Sequence, residues 1–183
     1  ERNISWAQQL ENFGVHVAYG IPGLKIHTKV TMVVREEADG LRTYCHIGTG
    51  NYNPDTAQLY EDLGLFTCNE TLASDVTDIF NLLTGYAPSQ TFEKLFVAPK
   101  HMRRQMTELI EFETKQAKAG KPSRIIAKMN SLEDPHIIQK LYEASQHGVK
   151  IDLIVRGVCR LIPGKTGLSE NIAVHSVIGR FLE

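Results

Sequence analysis

The spacing of apolar and polar positions changes period repeatedly along this chain, and each change predicts an element. From Ile4 to Asn12 the pattern is helical, with Leu10 and Phe13 on the apolar side and Gly14 as the stop. Val15 to Tyr19 predicts a short strand, followed by a turn from Gly20 to Gly23. Lys29 to Arg35 is rich in β-branched residues and predicts a buried strand; Ala38-Asp39-Gly40 turns the chain, and Arg42 to Ile47 returns as its hairpin partner. Pro54 opens a short helix to about Leu59, and Leu63 to Thr67 predicts another strand. Asn69 caps a helix from Glu70 to Leu83, with Val76, Ile79, Phe80 and Leu83 on one face.

Thr84 to Thr91 is the most linker-like stretch, which places a boundary between Ser89 and Leu95 and divides the chain into residues 1–92 and 93–183. The second part opens with an expected strand, Leu95 to Ala98. A helix from Met102 to Ala119, a strand from Arg124 to Met129 and a helix from Pro135 to Gln146 follow. Ile151 to Val155 is almost wholly apolar, as for a central strand covered on both faces, and Ile172 to Val177 predicts one more strand. Strands alternating with helices, together with the hairpin at Gly40, predict an α/β chain with mixed sheets flanked by helices.

Composition fits a globular protein: 42% of the 183 residues are hydrophobic and 22% charged, so the chain is not a disordered polyelectrolyte. No apolar run approaches the roughly 18 to 20 residues of a membrane span. The formal net charge of −1 excludes a polyanion-binding surface spread over the whole molecule and leaves phosphate binding to local clusters. Cys45, Cys68 and Cys159 are odd in number and form no C-x-x-C, which argues against a disulfide framework or structural zinc and points to a reducing cytoplasm.

Candidate chemistry concentrates in Gly23-Leu24-Lys25-Ile26-His27-Thr28-Lys29. His27 and Lys29 stand two apart at the mouth of a strand, where alternate side chains share a face. A neutral imidazole flanked by ammonium groups suits attack on phosphorus, with Lys29, joined by Lys25, holding phosphate oxygens. A solvated basic strand edge has the same pattern, and the segment alone does not separate the two. In His46-Ile47-Gly48-Thr49-Gly50-Asn51-Tyr52-Asn53, two glycines allow close backbone approach, and Asn51 and Asn53 supply donors; the hairpin should bring this loop back beside His27. Arg156 directly follows one strand, and Lys128 and Asn130 end its neighbour, where ligands of open α/β sheets bind; polar residues capping a sheet edge at the surface have the same pattern. Other features lead nowhere: Gly164-Lys165-Thr166 lacks the first glycine of a P-loop, since Cys159 holds that position, and His16 reads as a sheet histidine.

Taken together, Gly23 to Lys29, His46 to Asn53, Thr56-Ala57-Gln58-Leu59-Tyr60, Lys128-Met129-Asn130, Leu153 to Gly157 and Gly179-Arg180-Phe181-Leu182-Glu183 resemble bacterial polyphosphate kinases of the first type, in one order across the whole chain. The resemblance implies two facing phospholipase-D-like domains, with the later part of one at 1–92 and the earlier part of the next at 93–183. It implies reversible transfer of the terminal phosphate of ATP to inorganic polyphosphate through a phosphohistidine, with magnesium. His27 matches the phosphorylated histidine, and Tyr60 and Arg156 match nucleotide contacts. A second histidine directly after Glu183 and the arginines tied to magnesium would lie outside this chain, so no metal ligands are expected within it and the stretch alone should be inactive. ATP or ADP and polyphosphate are the implied partners, with no nucleic acid and no transmembrane segment. A homo-oligomeric full-length protein is expected in the cytoplasm, with the inner-membrane surface as a peripheral location. Phospholipase D itself would need an acid seven residues after His27, where Val34 stands, and a second H-x-K is absent. A phospholipase-D-type phosphodiesterase and a non-catalytic polyanion-binding module are the alternatives.

Overall fold

The structure, a computed structural model, describes residues 2–85 and 91–181. Contacts divide the chain into two compact units between Leu95 and Phe96. Most of the expected linker, residues 86–90, lies outside the described residues, as do Leu182 and Glu183 of the closing motif.

The first unit holds α1 (Arg2–Asn12), β1 (Lys29–Glu37), β2 (Gly40–Gly48), α2 (Pro54–Ala57), β3 (Gly64–Thr67) and α3 (Glu70–Leu83). Its sheet is an antiparallel meander in the order β1-β2-β3. The hairpin closes over Ala38-Asp39, and Gly40, at φ +124°, takes a backbone conformation that a side chain would oppose. Directly opposed residues share a face of the sheet. Val30, Met32, Cys45 and Ile47 therefore form one face, which packs on Ala73, Val76 and Phe80 of α3. The opposite face carries Lys29, Thr31, Val33, His46, Gly48, Gly64 and Phe66. The β1 run was expected to be buried. Only part of it is: Val33 lies on the face away from the small core, and Val34, on the core face, lies past its end at Met32, so both are about half exposed.

Asn69 starts α3 as expected, its side chain accepting a hydrogen bond from the Leu72 backbone N–H. Asp75, on the same helix and almost fully buried, accepts three backbone N–H groups, from Glu93 at 3.0 Å, Lys94 at 2.7 Å and Leu95 at 2.8 Å. The carboxylate thus ties the end of the unit onto α3, and Leu95 packs beside Val76 in the core.

The second unit holds α4 (Met102–Lys118), β4 (Arg124–Met129), α5 (Pro135–Gln146), β5 (Lys150–Val155) and β6 (Ile172–His175). The sheet is parallel, in the order β4-β5-β6. Asp134 caps α5 by accepting from His136 and Ile137, ahead of Pro135 in the first turn. Leu141 and Ala144 of α5 and Ile110 of α4 pack on Ile151, Leu153, Val155 and Ile172. The chain is α/β with two small sheets flanked by helices, and antiparallel and parallel pairing are divided between the sheets.

Three local expectations differ from the structure. Val15 to Tyr19 forms no strand: left-handed Gly14 and Gly20 bound it, no strand among the described residues pairs with it, and Val15, His16 and Tyr19 are exposed. His16 is therefore not a sheet histidine. Leu95 to Ala98 is not a strand either, because the Leu95 N–H is taken by Asp75 and the Val97 carbonyl accepts from His101 and Met102, leading into α4. Finally, β5 is covered on one face among the described residues; Asp152 and Ile154 alternate with the buried Ile151, Leu153 and Val155.

Candidate functional site

The head of the first sheet gathers the residues of greatest chemical interest. Lys29 begins β1, opposite Gly48, and is only 8% exposed. Its ammonium group lies 2.9 Å from His27 Nε2 and donates to the His27 carbonyl at 2.8 Å. An ammonium has no acceptor capacity, so with Lys29 charged the Nε2 atom carries the lone pair and the ring is the neutral, Nδ1-protonated form. His27 itself is exposed. The pair thus sets a buried lysine against Nε2 of an exposed imidazole.

Burial lowers the Lys29 pKa from its ordinary value; Asp62 opposes this, and the nearby Lys25 adds to it. Asp62 accepts the Thr49 hydroxyl at 3.0 Å, while the same Thr49 oxygen accepts the Leu63 N–H at 2.9 Å. Gly50 lies so close to the Asp62 carboxylate that a Cβ there would overlap it. Thr49 and Gly50 thus position an acid whose charge acts on Lys29. Asp62 escaped the sequence reading; it stands two residues before β3, whose Gly64 pairs with Gly48, and only that register brings it near Lys29.

Beside Lys29, on the same face, the His46 ring rests over Gly48 and Gly64. A Cβ on Gly48 would stand 3.1 Å from His46 Cε1, and one on Gly64 would stand 2.6 Å from Nε2. His46 Nδ1 lies 2.6 Å from the Tyr52 hydroxyl, and its ring packs against Phe66 at a centroid distance of 4.5 Å. The two glycines of β2 and β3 serve here as space for an imidazole. Asn53 has a structural duty, since its side-chain oxygen accepts from Asp55 and Thr56 as the cap of α2. Asn51 is exposed in the loop before it, Lys25 is exposed ahead of β1, and Tyr60 lies partly exposed between α2 and β3.

In the second unit, Arg156 leaves the carboxyl end of β5 and donates through Nη2 to Asn130 Oδ1 at 2.9 Å. Lys128 is exposed on β4, on the same open face. The structure therefore joins Arg156 with Asn130, and His27 with Lys29.

The pH behaviour of Lys29 follows from its neighbours. If activity of the full-length protein requires the ammonium form, the alkaline fall in activity comes at lower pH than an ordinary lysine would give. Asp62→Asn removes the charge that raises the Lys29 pKa, so the alkaline limb should move to still lower pH. A pH–rate profile that does not move would exclude Asp62 from control of Lys29.

Two family profiles cover nearly the whole chain: "Polyphosphate kinase C-terminal domain 1" matches residues 1–89 and "Polyphosphate kinase C-terminal domain 2" matches residues 95–183. The chain is 59% identical over 183 residues to a polyphosphate kinase of Thermosynechococcus vestitus and 58% identical over 183 residues to one of Synechocystis, covering all of this chain and 25% of each relative. It thus spans about a quarter of the length of these curated relatives. The crystal structure of polyphosphate kinase from Porphyromonas gingivalis superposes with a TM-score of 0.88 at 36% identity, covering 99% of this chain and 30% of that one.

Proposed function

We propose, for a chain that belongs to the polyphosphate kinase family, that the full-length protein reversibly transfers the terminal phosphate of ATP to inorganic polyphosphate through a phosphohistidine at His27. The observation that carries this reading is the 2.9 Å contact between the Lys29 ammonium and His27 Nε2. In the transfer, Nε2 forms a bond to the γ-phosphorus as the bond to the bridging oxygen breaks, and that oxygen leaves on ADP with the electron pair. The Nδ1 proton stays on the ring. Lys29 releases the lone pair and turns its donors to the phosphoryl oxygens, where charge is greatest in the transition state. In the second step a terminal polyphosphate oxygen attacks the same phosphorus and His27 departs. Tyr60 and Arg156 are the proposed nucleotide contacts. Lys25, Lys128, Asn51 and Asn53 are candidates for binding phosphate, and the capping role of Asn53 leaves its amide nitrogen for that purpose.

Magnesium would screen phosphate charge in such a reaction. Among the described residues, no group of three or more His, Cys, Asp or Glu side chains is placed to hold a metal ion. No step here is routed through a metal ion. Among the same residues, no helix is long and apolar enough to cross a membrane.

The test is incubation of the full-length protein with ATP labelled at the γ-phosphate. Acid-labile, base-stable label on the protein, transferable to polyphosphate, is the expected result. Cleavage of a phosphodiester without nucleotide would replace this reading with a phospholipase-D-type activity. Polyphosphate binding with neither label nor cleavage would replace it with a non-catalytic role.

A further inference from the structure

We propose that Lys29 is a latch on His27: it holds the ring unreactive until a phosphate anion draws the ammonium group away, so the site attacks charged phosphoryl groups and spares neutral electrophiles. This deepens the reading of His27 as the phosphorylated residue and rests on it. Lys29 Nζ lies 2.9 Å from His27 Nε2 and donates to the His27 carbonyl at 2.8 Å. With Lys29 in its ammonium form, Nδ1 carries the ring proton and Nε2 is occupied by the lysine hydrogen bond. Neither nitrogen then presents a free lone pair, although the imidazole is exposed.

Local chain geometry sets the latch. Lys29 is the first residue of β1, paired with Gly48, and is only 8% exposed, so its backbone is fixed and its stem enclosed. The side chain folds back by two residues and grips one histidine twice, at the ring and at the carbonyl. The carbonyl bond is independent of the ring, so it remains as a pivot when the ring bond opens. An ammonium has three hydrogens, and these two contacts leave one to meet an incoming oxygen.

What opens the latch follows from the strength of the acceptor. An oppositely charged oxygen is a better partner for an ammonium than a neutral ring nitrogen is. An anion arriving over His27 therefore takes the ammonium from Nε2 and frees the lone pair for the phosphorus atom beside it. Lys25 is exposed and close enough for its charge to act on Lys29, so the approach already favours anions. A neutral electrophile brings no charged oxygen and meets a closed ring.

The probe is diethyl pyrocarbonate, a neutral electrophile, applied to the full-length protein at about pH 8, where an ordinary imidazole is unprotonated. One ring nitrogen bonds to a carbonyl carbon, ethyl carbonate leaves to give ethanol and carbon dioxide, and the other ring nitrogen gives up its proton. Modification of His27 is followed by peptide mapping, with folding checked by circular dichroism. Wild-type His27 should react about tenfold to a hundredfold more slowly than free acetylhistidine, the range set by a hydrogen bond to a charged group. Lys29→Met should restore most of that rate, while phosphoenzyme formation from γ-labelled ATP falls. Two reactions of one ring would then change in opposite directions, which a merely structural role for Lys29 does not produce. Wild-type His27 reacting as fast as acetylhistidine would reveal an open ring nitrogen and overturn the latch. Slow reaction in both proteins would trace to shielding by other groups and would overturn it equally. Lys29→Leu answers the same question if Lys29→Met folds poorly. Failure of the wild-type protein to take label from ATP is a separate result, against His27 as the phosphorylated residue.

Discussion

Full-length protein carrying His27→Ala is expected to fold normally yet form neither phosphoenzyme nor polymer. His27 is exposed and outside the core of its unit, so its side chain contributes little to stability. Its backbone carbonyl remains after the substitution and still accepts from Lys29, so the buried ammonium keeps a partner. The chemical loss is of a different order. Removing the nucleophile of a two-step transfer commonly costs a factor on the order of 10⁴ to 10⁶ in turnover, which would place polymer synthesis at background. His27→Gln sharpens the result, because it offers Lys29 a side-chain acceptor but has no nitrogen able to carry a phosphoryl group. Robust polyphosphate synthesis by well-folded His27→Ala protein would remove His27 from the reaction.

Asp75→Ala is expected to have the largest effect on stability, about 3 to 5 kcal/mol, comparable to removing one partner from a buried charged network. The side chain is 4% exposed and accepts three successive backbone N–H groups. Its loss would strand three donors at once and release Leu95 from the small core around Val76. Asp75→Asn should fall between alanine and wild type, since one carboxylate oxygen accepts two of the three bonds and an amide nitrogen in either place would face a donor. The measurement is urea unfolding of the full-length protein, followed by a probe in this unit. A shift below about 1 kcal/mol would show that the three bonds are replaced by water at little cost.

Elements specified by local rules were legible in the sequence. Asn69 and Asp134 announce their helices through side-chain oxygens that the structure shows accepting from the first turns. The hairpin at Ala38-Asp39-Gly40 and the Arg124–Met129 strand are equally local. What failed depended on partners. Val15 to Tyr19 has the alternation of a strand, but a strand exists only with a neighbour, and none among the described residues pairs with it. Leu95 was drawn away from a ladder by Asp75, twenty positions earlier, which no periodicity reveals. At the site, the pairing of His27 with Lys29 could be read from a spacing of two on an extended chain. Asp62 could not, because its relation to Lys29 runs through the register of three strands and through the hydroxyl of Thr49.

The His46 ring and the two glycines beneath it act as mould and cast, and this bears on how the sequence can drift. Gly64 is intolerant of a methyl group only while an imidazole fills the space above it. A smaller residue at position 46 would lift that ban at position 64 and relieve the tight contact at position 48, so the three sites should be inherited together. Among distant members of the family, a side chain at position 64 should accompany a reduced residue at position 46, or a ring that has turned away from the Tyr52 hydroxyl. The Gly48-Thr49-Gly50 signature in this setting records the outlines of neighbouring side chains, His46 against Gly48 and Asp62 against Gly50, and its loss alone is no sign of lost phosphate chemistry.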